Sequence, residues 1–125
     1  MVKRFLRTII LSVFLIAAAQ VPAFAYDVGT CKIINGSDMS IAFLYAVPMD
    51  SDGWGEDLVG SEIMNINDGR TIDYEYGNPI YKIKIQLAGE GGETFTWYDV
   101  DLTDTWNLTI WYNGTDFELS KNAVG

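Results

Sequence analysis

Acidic side chains cluster in two segments of this 125-residue chain, PMDSDGWGEDLVG at positions 48–60 and YDVDLTD at positions 98–104. Calcium prefers roughly six to eight oxygen ligands from flexible loops, and carboxylates tolerate one another around such a cation. If both segments lie at the same end of the fold, they would therefore supply a calcium site. Its candidate ligands are Asp50, Asp52, Asp57, Asp99, Asp101 and Asp104. The alternative is a solvated acidic surface that keeps the protein soluble and needs no cofactor.

Three tryptophans are candidate contact residues for a sugar ring or a protein partner. Trp54 lies between two glycines in the first acidic segment, whereas Trp97 and Trp111 lie in segments with strand periodicity. Aromatic side chains are enriched at binding surfaces, and loops on a rigid scaffold often carry function. The structural alternative for Trp54 is that its side chain folds back and covers the end of the core.

Most catalytic residue types are missing from the chain. It contains no histidine, so neither a Ser-His-Asp nor a Cys-His arrangement can form. A zinc site would have no imidazole and a single thiol, Cys31. A glycosidase-like carboxylate pair carries little information, because any acidic domain places two acids within about 5–10 Å. We therefore expect a non-enzymatic protein in which Cys31 is buried, inert and outside any intramolecular disulfide.

The amino-terminal 25 residues have the pattern of a cleavable signal peptide. Basic residues precede an apolar run at 9–19, and Ala23-Phe24-Ala25 places small residues where signal peptidase requires them. The run is shorter than the roughly 20 residues that span a bilayer. We expect cleavage after Ala25, no stable membrane span in the mature protein, and a periplasmic or extracellular location.

Removal of residues 1–25 leaves one acidic domain, 26–125. This segment holds all 17 acidic residues but only five of the eight basic ones, so its formal charge is −12. A negative field of this size excludes nucleic-acid binding and favours cations or basic partners. An unidentified protein or a glycan is the expected partner; the oligomeric state is not indicated.

Alternation of apolar and polar residues dominates the segment 26–125 and predicts half-buried strands. The expected strands are 29–35, 39–47, 60–65, 70–76, 80–88, 93–100, 105–112 and 115–120. The run 41–47 is apolar on both faces and is the best candidate for a central strand. We predict an all-β fold, a single antiparallel β-sandwich of seven to eight short strands, immunoglobulin-like or jelly-roll-like, with a barrel as the alternative.

Three Asn-x-Ser/Thr sequons begin at Asn35, Asn107 and Asn113. They are glycosylation acceptors only in a source that glycosylates exported proteins. Because two of them lie at predicted turns, where asparagine is favoured, we interpret all three as turn and strand chemistry.

Residues 30–112 resemble a group of small exported bacterial domains. The resemblance rests on Leu44-Tyr45, Pro48 and the run Trp54-Gly55-Glu56-Asp57-Leu58-Val59-Gly60, which fits Leu-Tyr…Pro…Trp-Gly-x-Asp-x-x-Gly. It implies a secreted β-sandwich and a fixed conformation for the Trp54 loop, but no established activity. Members often carry a cysteine shortly after Val-Asp-Leu, where this chain has Thr103, so no disulfide follows from the resemblance.

Overall fold

The computed structural model describes residues 27–123, which form seven strands. The strands are β1 (Val28–Asn35), β2 (Ile41–Pro48), β3 (Gly69–Glu75), β4 (Ile80–Leu87), β5 (Thr94–Asp101), β6 (Asn107–Tyr112) and β7 (Phe117–Lys121). The predicted signal peptide, residues 1–25, lies outside the described residues. No helix in the described range is long and apolar enough to cross a membrane.

Two sheets pack face to face. One contains four strands in the order β3-β1-β6-β7, and the other contains three in the order β2-β4-β5. The prediction of an all-β fold with two sheets is confirmed, but purely antiparallel pairing is wrong at one place, because β1 and β6 pair in parallel. These two strands are far apart in the sequence and run in the same direction. A parallel pair needs a long connection of this kind, whereas a short hairpin turn can join only antiparallel strands.

The core lies between the sheets and consists of alternate residues of facing strands. Cys31 and Ile33 of β1 and Ile83 and Ile85 of β4 are completely buried. Desolvation by burial raises the pKa of the Cys31 thiol to about 11, so the neutral form persists at physiological pH. The expectation of a buried cysteine is confirmed, and its raised pKa makes the thiol a poor nucleophile.

The predicted strand at 60–65 is wrong, since this segment belongs to the connection between β2 and β3. Its only ladder contact is a single bridge between Met64 and Ile41. Met64 is completely buried, whereas Ile63 and Ile66 are exposed, so one side chain anchors the segment. Gly60 has φ = +74°, which turns the backbone away from an extended path.

The assignment of 41–47 as a central strand is also wrong, because β2 forms an edge of the three-stranded sheet and β4 is central. Both faces of β2 are apolar for a different reason. Leu44 faces the core, whereas Phe43 and Tyr45 stack side by side on the outer face with ring centroids 6.5 Å apart. The apolar residues on both faces of β2 therefore reflect a surface aromatic pair, and they do not indicate a central strand that is buried on both faces.

The turn after β1 depends on a buried asparagine. The Asn35 side chain is completely buried and its amide nitrogen donates to the carbonyls of Met39 and Met64, at 2.8 and 3.0 Å. Its oxygen accepts hydrogen bonds from the backbone N–H and the hydroxyl of Ser37. The side chain thereby links the turn at Met39 to the segment around Met64, and each of its polar atoms has a hydrogen-bond partner.

Candidate functional site

The β2–β3 loop, residues 49–68, closes one side of the sandwich. Arg70 lies at the start of β3, and its guanidinium donates to the carbonyls of Leu58, Val59 and Glu62 at 3.1–3.3 Å. Val59 is buried, and Leu58 packs against the core from this side. The loop therefore seals the gap between the edge strands β2 and β3.

Asp57 fixes the same loop to the edge of β2. Its Oδ1 accepts hydrogen bonds from the backbone N–H groups of Leu44 and Val59, at 3.0 and 2.9 Å. The Leu58 N–H in turn donates to the Leu44 carbonyl at 2.8 Å. A carboxylate that accepts backbone N–H groups makes a charge-assisted bond, so Asp57 acts as a structural clamp at this position.

Trp54 lies against the outer face of the three-stranded sheet and is partly exposed. The Lys82 and Lys84 amines lie 4.8 and 4.6 Å from its ring centroid, and Lys82 also donates to the Ser51 carbonyl at 3.1 Å. The Tyr98 ring is 6.4 Å from Trp54. The indole is thus held by cation–π contacts on the surface of the sheet, and it does not cover the end of the core.

The opposite side of the sandwich, between β5 and β7, has no covering loop and forms an open groove of about 580 Å³. We call it the β5–β7 groove. Its apolar lining comes from both sheets and includes Trp97, Val100, Leu108 and Leu119. The groove therefore brings residues of both sheets, including the buried Leu108, to one concave surface that a ligand could contact.

The shape of the groove is set by two features of β5. Phe95 contacts Phe117 with ring centroids 4.6 Å apart, which closes one end of the groove. The register of β5 against β4 shifts between Tyr81 and Ile83, and Asp99 in the displaced segment has φ = +57°. Trp97 and Tyr98 alternate across β5, so Trp97 points inward and Tyr98 points outward toward Trp54, and both border the groove; the β-bulge then turns Val100 inward.

Charged groups stand at the rim of the groove. Asp99, Asp101 and Glu118 are acidic, and Lys121 is the basic member. Hydrogen bonds from Thr103, first from its backbone N–H, lower the pKa of Asp101, and Lys121 adds a smaller effect in the same direction. The rim therefore stays predominantly negative at neutral pH.

The structure brings together four of the residues proposed from the sequence. Trp97, Asp99 and Asp101 line the groove, and Trp54 reaches it through Tyr98. Trp111 does not join them, because it lies on the outer face of the four-stranded sheet. There the Trp111 Nε1 is buried with no hydrogen-bond partner.

The proposed calcium ligands are only partly assembled. The two acidic segments do leave the sandwich at the same end, since Pro48 pairs with Tyr81 and Asp101 pairs with the adjacent Ile80. Within residues 27–123, however, no three carboxylate or thiol side chains form a group suited to a metal ion. Calcium binding remains a prediction without geometric support.

The remaining proposed ligands lie outside the groove. Asp57 is the loop clamp, Asp52 is exposed in the loop, and the Asp50 carboxylate accepts a 3.4 Å hydrogen bond from the Asn78 amide. Asp104 occupies the turn before β6 with φ = +56°, and the Asn122 amide donates to its carbonyl at 2.9 Å.

Sequence reasoning missed two exposed aromatic residues. Trp106 is 63 % exposed and Tyr98 is 60 % exposed, the largest fractions among the aromatic side chains of the described range. Alternation within the expected strand 105–112 predicts Trp106 on the same face as Leu108, but β6 begins only at Asn107, so Trp106 lies outside the strand. The Trp106 N–H donates to Asn122 Oδ1 at 2.8 Å, which holds the backbone just before β6. Tyr98 points outward by alternation with Trp97, and its large exposure follows from the position of β5 at the edge of its sheet.

No protein-family model, curated protein or solved structure matched this chain in comparisons with known proteins. The geometry of residues 27–123 is therefore the basis for a functional proposal, because a sandwich fold alone does not specify an activity.

Proposed function

We propose that this protein is an exported, non-enzymatic binding module whose ligand occupies the β5–β7 groove. The groove carries the proposal, because it is where apolar core residues, two aromatic rings and a charged rim meet at the surface. Sites of this kind combine an apolar lining with a few polar groups that orient the ligand.

The expected ligand is a protein segment or a carbohydrate. Tyr98 and Trp54 offer aromatic surface at the outer margin, and Asp99 and Asp101 offer acceptors at the rim. Aromatic side chains supply a large contact area at low cost in conformational entropy. The absence of histidine from the chain and its single cysteine support a binding role over catalysis.

We also propose the immunoglobulin-like form of the two-sheet architecture. Seven strands divided into sheets of four and three are closer to an immunoglobulin-like sandwich than to an eight-stranded jelly roll. The export pattern of residues 1–25 supports a periplasmic or extracellular location.

A ligand screen with two matched variants tests the proposal. The purified protein is applied to a glycan array and to an array of immobilised peptides, together with Tyr98→Ala and Trp106→Ala. Both rings are more than half exposed, so neither change should disturb the core, but only Tyr98 lines the groove. We expect binding to weaken in Tyr98→Ala and to persist in Trp106→Ala. Binding lost only in Trp106→Ala, or absent on both arrays, would refute a groove ligand.

A further inference from the structure

The four strand edges of the sandwich are protected to different extents. The edge of β2 is covered by its own loop: Ile41 exchanges both backbone bonds with Met64, and Leu44 bonds to Asp57 and Leu58. Exposed edges present unpaired N–H and C=O groups to other chains, and natural proteins commonly cover or distort them.

Two further edges are also modified. The β5 edge is interrupted by the bulge at Tyr98 and Asp99, which breaks the regular spacing that an added strand needs. On the outer side of β3, the Asp73 carbonyl accepts a hydrogen bond from the Tyr81 hydroxyl at 3.3 Å.

The edge of β7 remains regular and bare. Backbone bonds join Asn113 to Asp116 and Asn122 to Asn107, at the two ends of the β6–β7 ladder. Because hydrogen-bonded and non-bonded pairs alternate in an antiparallel ladder, the N–H and C=O groups of Phe117, Leu119 and Lys121 point away from β6. Among residues 27–123, no other segment donates to or accepts from them.

We propose that β7 binds an extended segment of a partner protein, in which apolar residues alternate with lysine or arginine, by strand addition. The segment continues the four-stranded sheet and fills the β5–β7 groove. This inference rests on the proposed function and names the ligand class of the same site. Strand addition uses backbone hydrogen bonds for affinity and side-chain pockets for specificity.

The dimensions of the groove fit such a segment. Glu118, Leu119 and Lys121 of β7 line it, below the Phe95–Phe117 contact. At a rise of about 3.3 Å per residue, four residues of an added strand cover this length. Alternate side chains of that strand would lie beside Leu119 and contact the apolar lining described above.

The charges select a basic segment over an acidic one. Glu118 faces outward beside the bare edge, and two of the three other charged rim residues are aspartates. A lysine or arginine of the added strand opposite Glu118 forms a favourable cross-strand pair. A second copy of this chain is disfavoured as the occupant. Two domains that each carry a formal charge of −12 over residues 26–125 would repel each other, and pairing of their β7 strands would bring the two Glu118 side chains close together.

Labelled octapeptides test the proposal. The purified protein is titrated, by fluorescence anisotropy, with a peptide alternating apolar residues and lysine and with the same peptide carrying glutamate. We expect the lysine peptide to bind about tenfold more tightly. Glu118→Lys should reverse this preference, whereas Glu90→Lys, in the exposed β4–β5 turn, should leave it unchanged.

Backbone pairing is tested by N-methylation of every second residue of the lysine peptide, in the two alternate registers. One register removes the N–H groups that face β7 and should weaken binding about tenfold, while the other should have a small effect. Amide hydrogen exchange at Leu119 and Lys121 should slow when the peptide is bound.

Several results would overturn the inference. Equal binding of the two methylated registers, unchanged exchange at Leu119 with bound peptide, or no binding of the lysine peptide up to about 1 mM would each do so. A Leu119 amide already protected by dimer formation would identify a second copy as the occupant. Binding of an oligosaccharide but no peptide in the groove would reject strand addition and leave the proposed binding function intact.

Discussion

Replacement of Asp57 by alanine should detach the β2–β3 loop from the edge of β2. The carboxylate oxygen that accepts from Leu44 and Val59 is lost, and neither N–H has a second acceptor among residues 27–123. Leu44 and Val59 are both buried, so in the variant their N–H groups can form hydrogen bonds only with water that enters the site.

The expected cost can be worked out from these two bonds. A hydrogen bond to a charged group contributes about 1.5–3 kcal/mol to stability, and a buried donor without an acceptor costs about 1–3 kcal/mol. Since both bonds share one oxygen and water can partly replace it, we expect Asp57→Ala to lower the free energy of unfolding by about 3 kcal/mol. Asp57→Asn keeps an oxygen acceptor, so its cost should be about 1 kcal/mol.

Urea unfolding followed by tryptophan fluorescence measures these values, with Asp52→Ala as the control for loss of an exposed carboxylate in the same loop. The measurements are made with a chelator and again with millimolar calcium. The hydrogen-bond explanation requires the same loss under both conditions. It is refuted if Asp57→Ala costs less than about 0.5 kcal/mol, or if the loss occurs only when calcium is present.

Three further effects are expected. Cys31 should contribute a fall of up to about 2–3 kcal/mol in the free energy of unfolding as pH rises from 9 towards 11, because the raised pKa keeps the native thiol neutral while the unfolded thiol ionises. Cys31→Ala should remove this contribution from a pH series of urea-unfolding curves, leaving the smaller slope to which the raised pKa values of Tyr74 and Tyr81 contribute. Gly29→Ala should cost about 1–3 kcal/mol, since its Cβ would lie 2.5 Å from the Tyr74 ring, and Gly77→Ala, with open space around it, is the thermal-melting control. Arg70→Met should accelerate amide exchange and proteolysis at residues 58–62, and unchanged rates would contradict the role given to its guanidinium.

Alternation of side chains was a good guide wherever a strand has one face on the core. Ile33, Ile83 and Ile85 obey this rule, and the strands that contain them were predicted with boundaries accurate to within a residue or so. The rule reflects a local property, because successive residues of a strand point to opposite faces whatever the partner strand is.

Alternation does not predict features that depend on contacts between distant segments. Whether β2 lies at an edge of its sheet depends on the positions of β4 and of the Asp57 clamp, and the sequence of residues 41–47 contains no information on either. The groove residues Trp97 and Asp101 were named from their residue types, but Leu119 was not, since it borders the groove only because β7 is the edge strand next to β5. Tertiary position decides such cases, and local pattern does not.

Burial of Asn35 makes folding and modification of this residue mutually exclusive. An oligosaccharyltransferase that acts on the nascent chain would recognise Asn35-Gly36-Ser37, yet the same amide nitrogen must later donate to two carbonyls inside the protein. A glycan attached there could not be accommodated beside a completely buried side chain. Secretion through a glycosylating pathway should therefore trap molecules modified at Asn35 in an unfolded state, so a bacterial host is the appropriate choice for producing the protein.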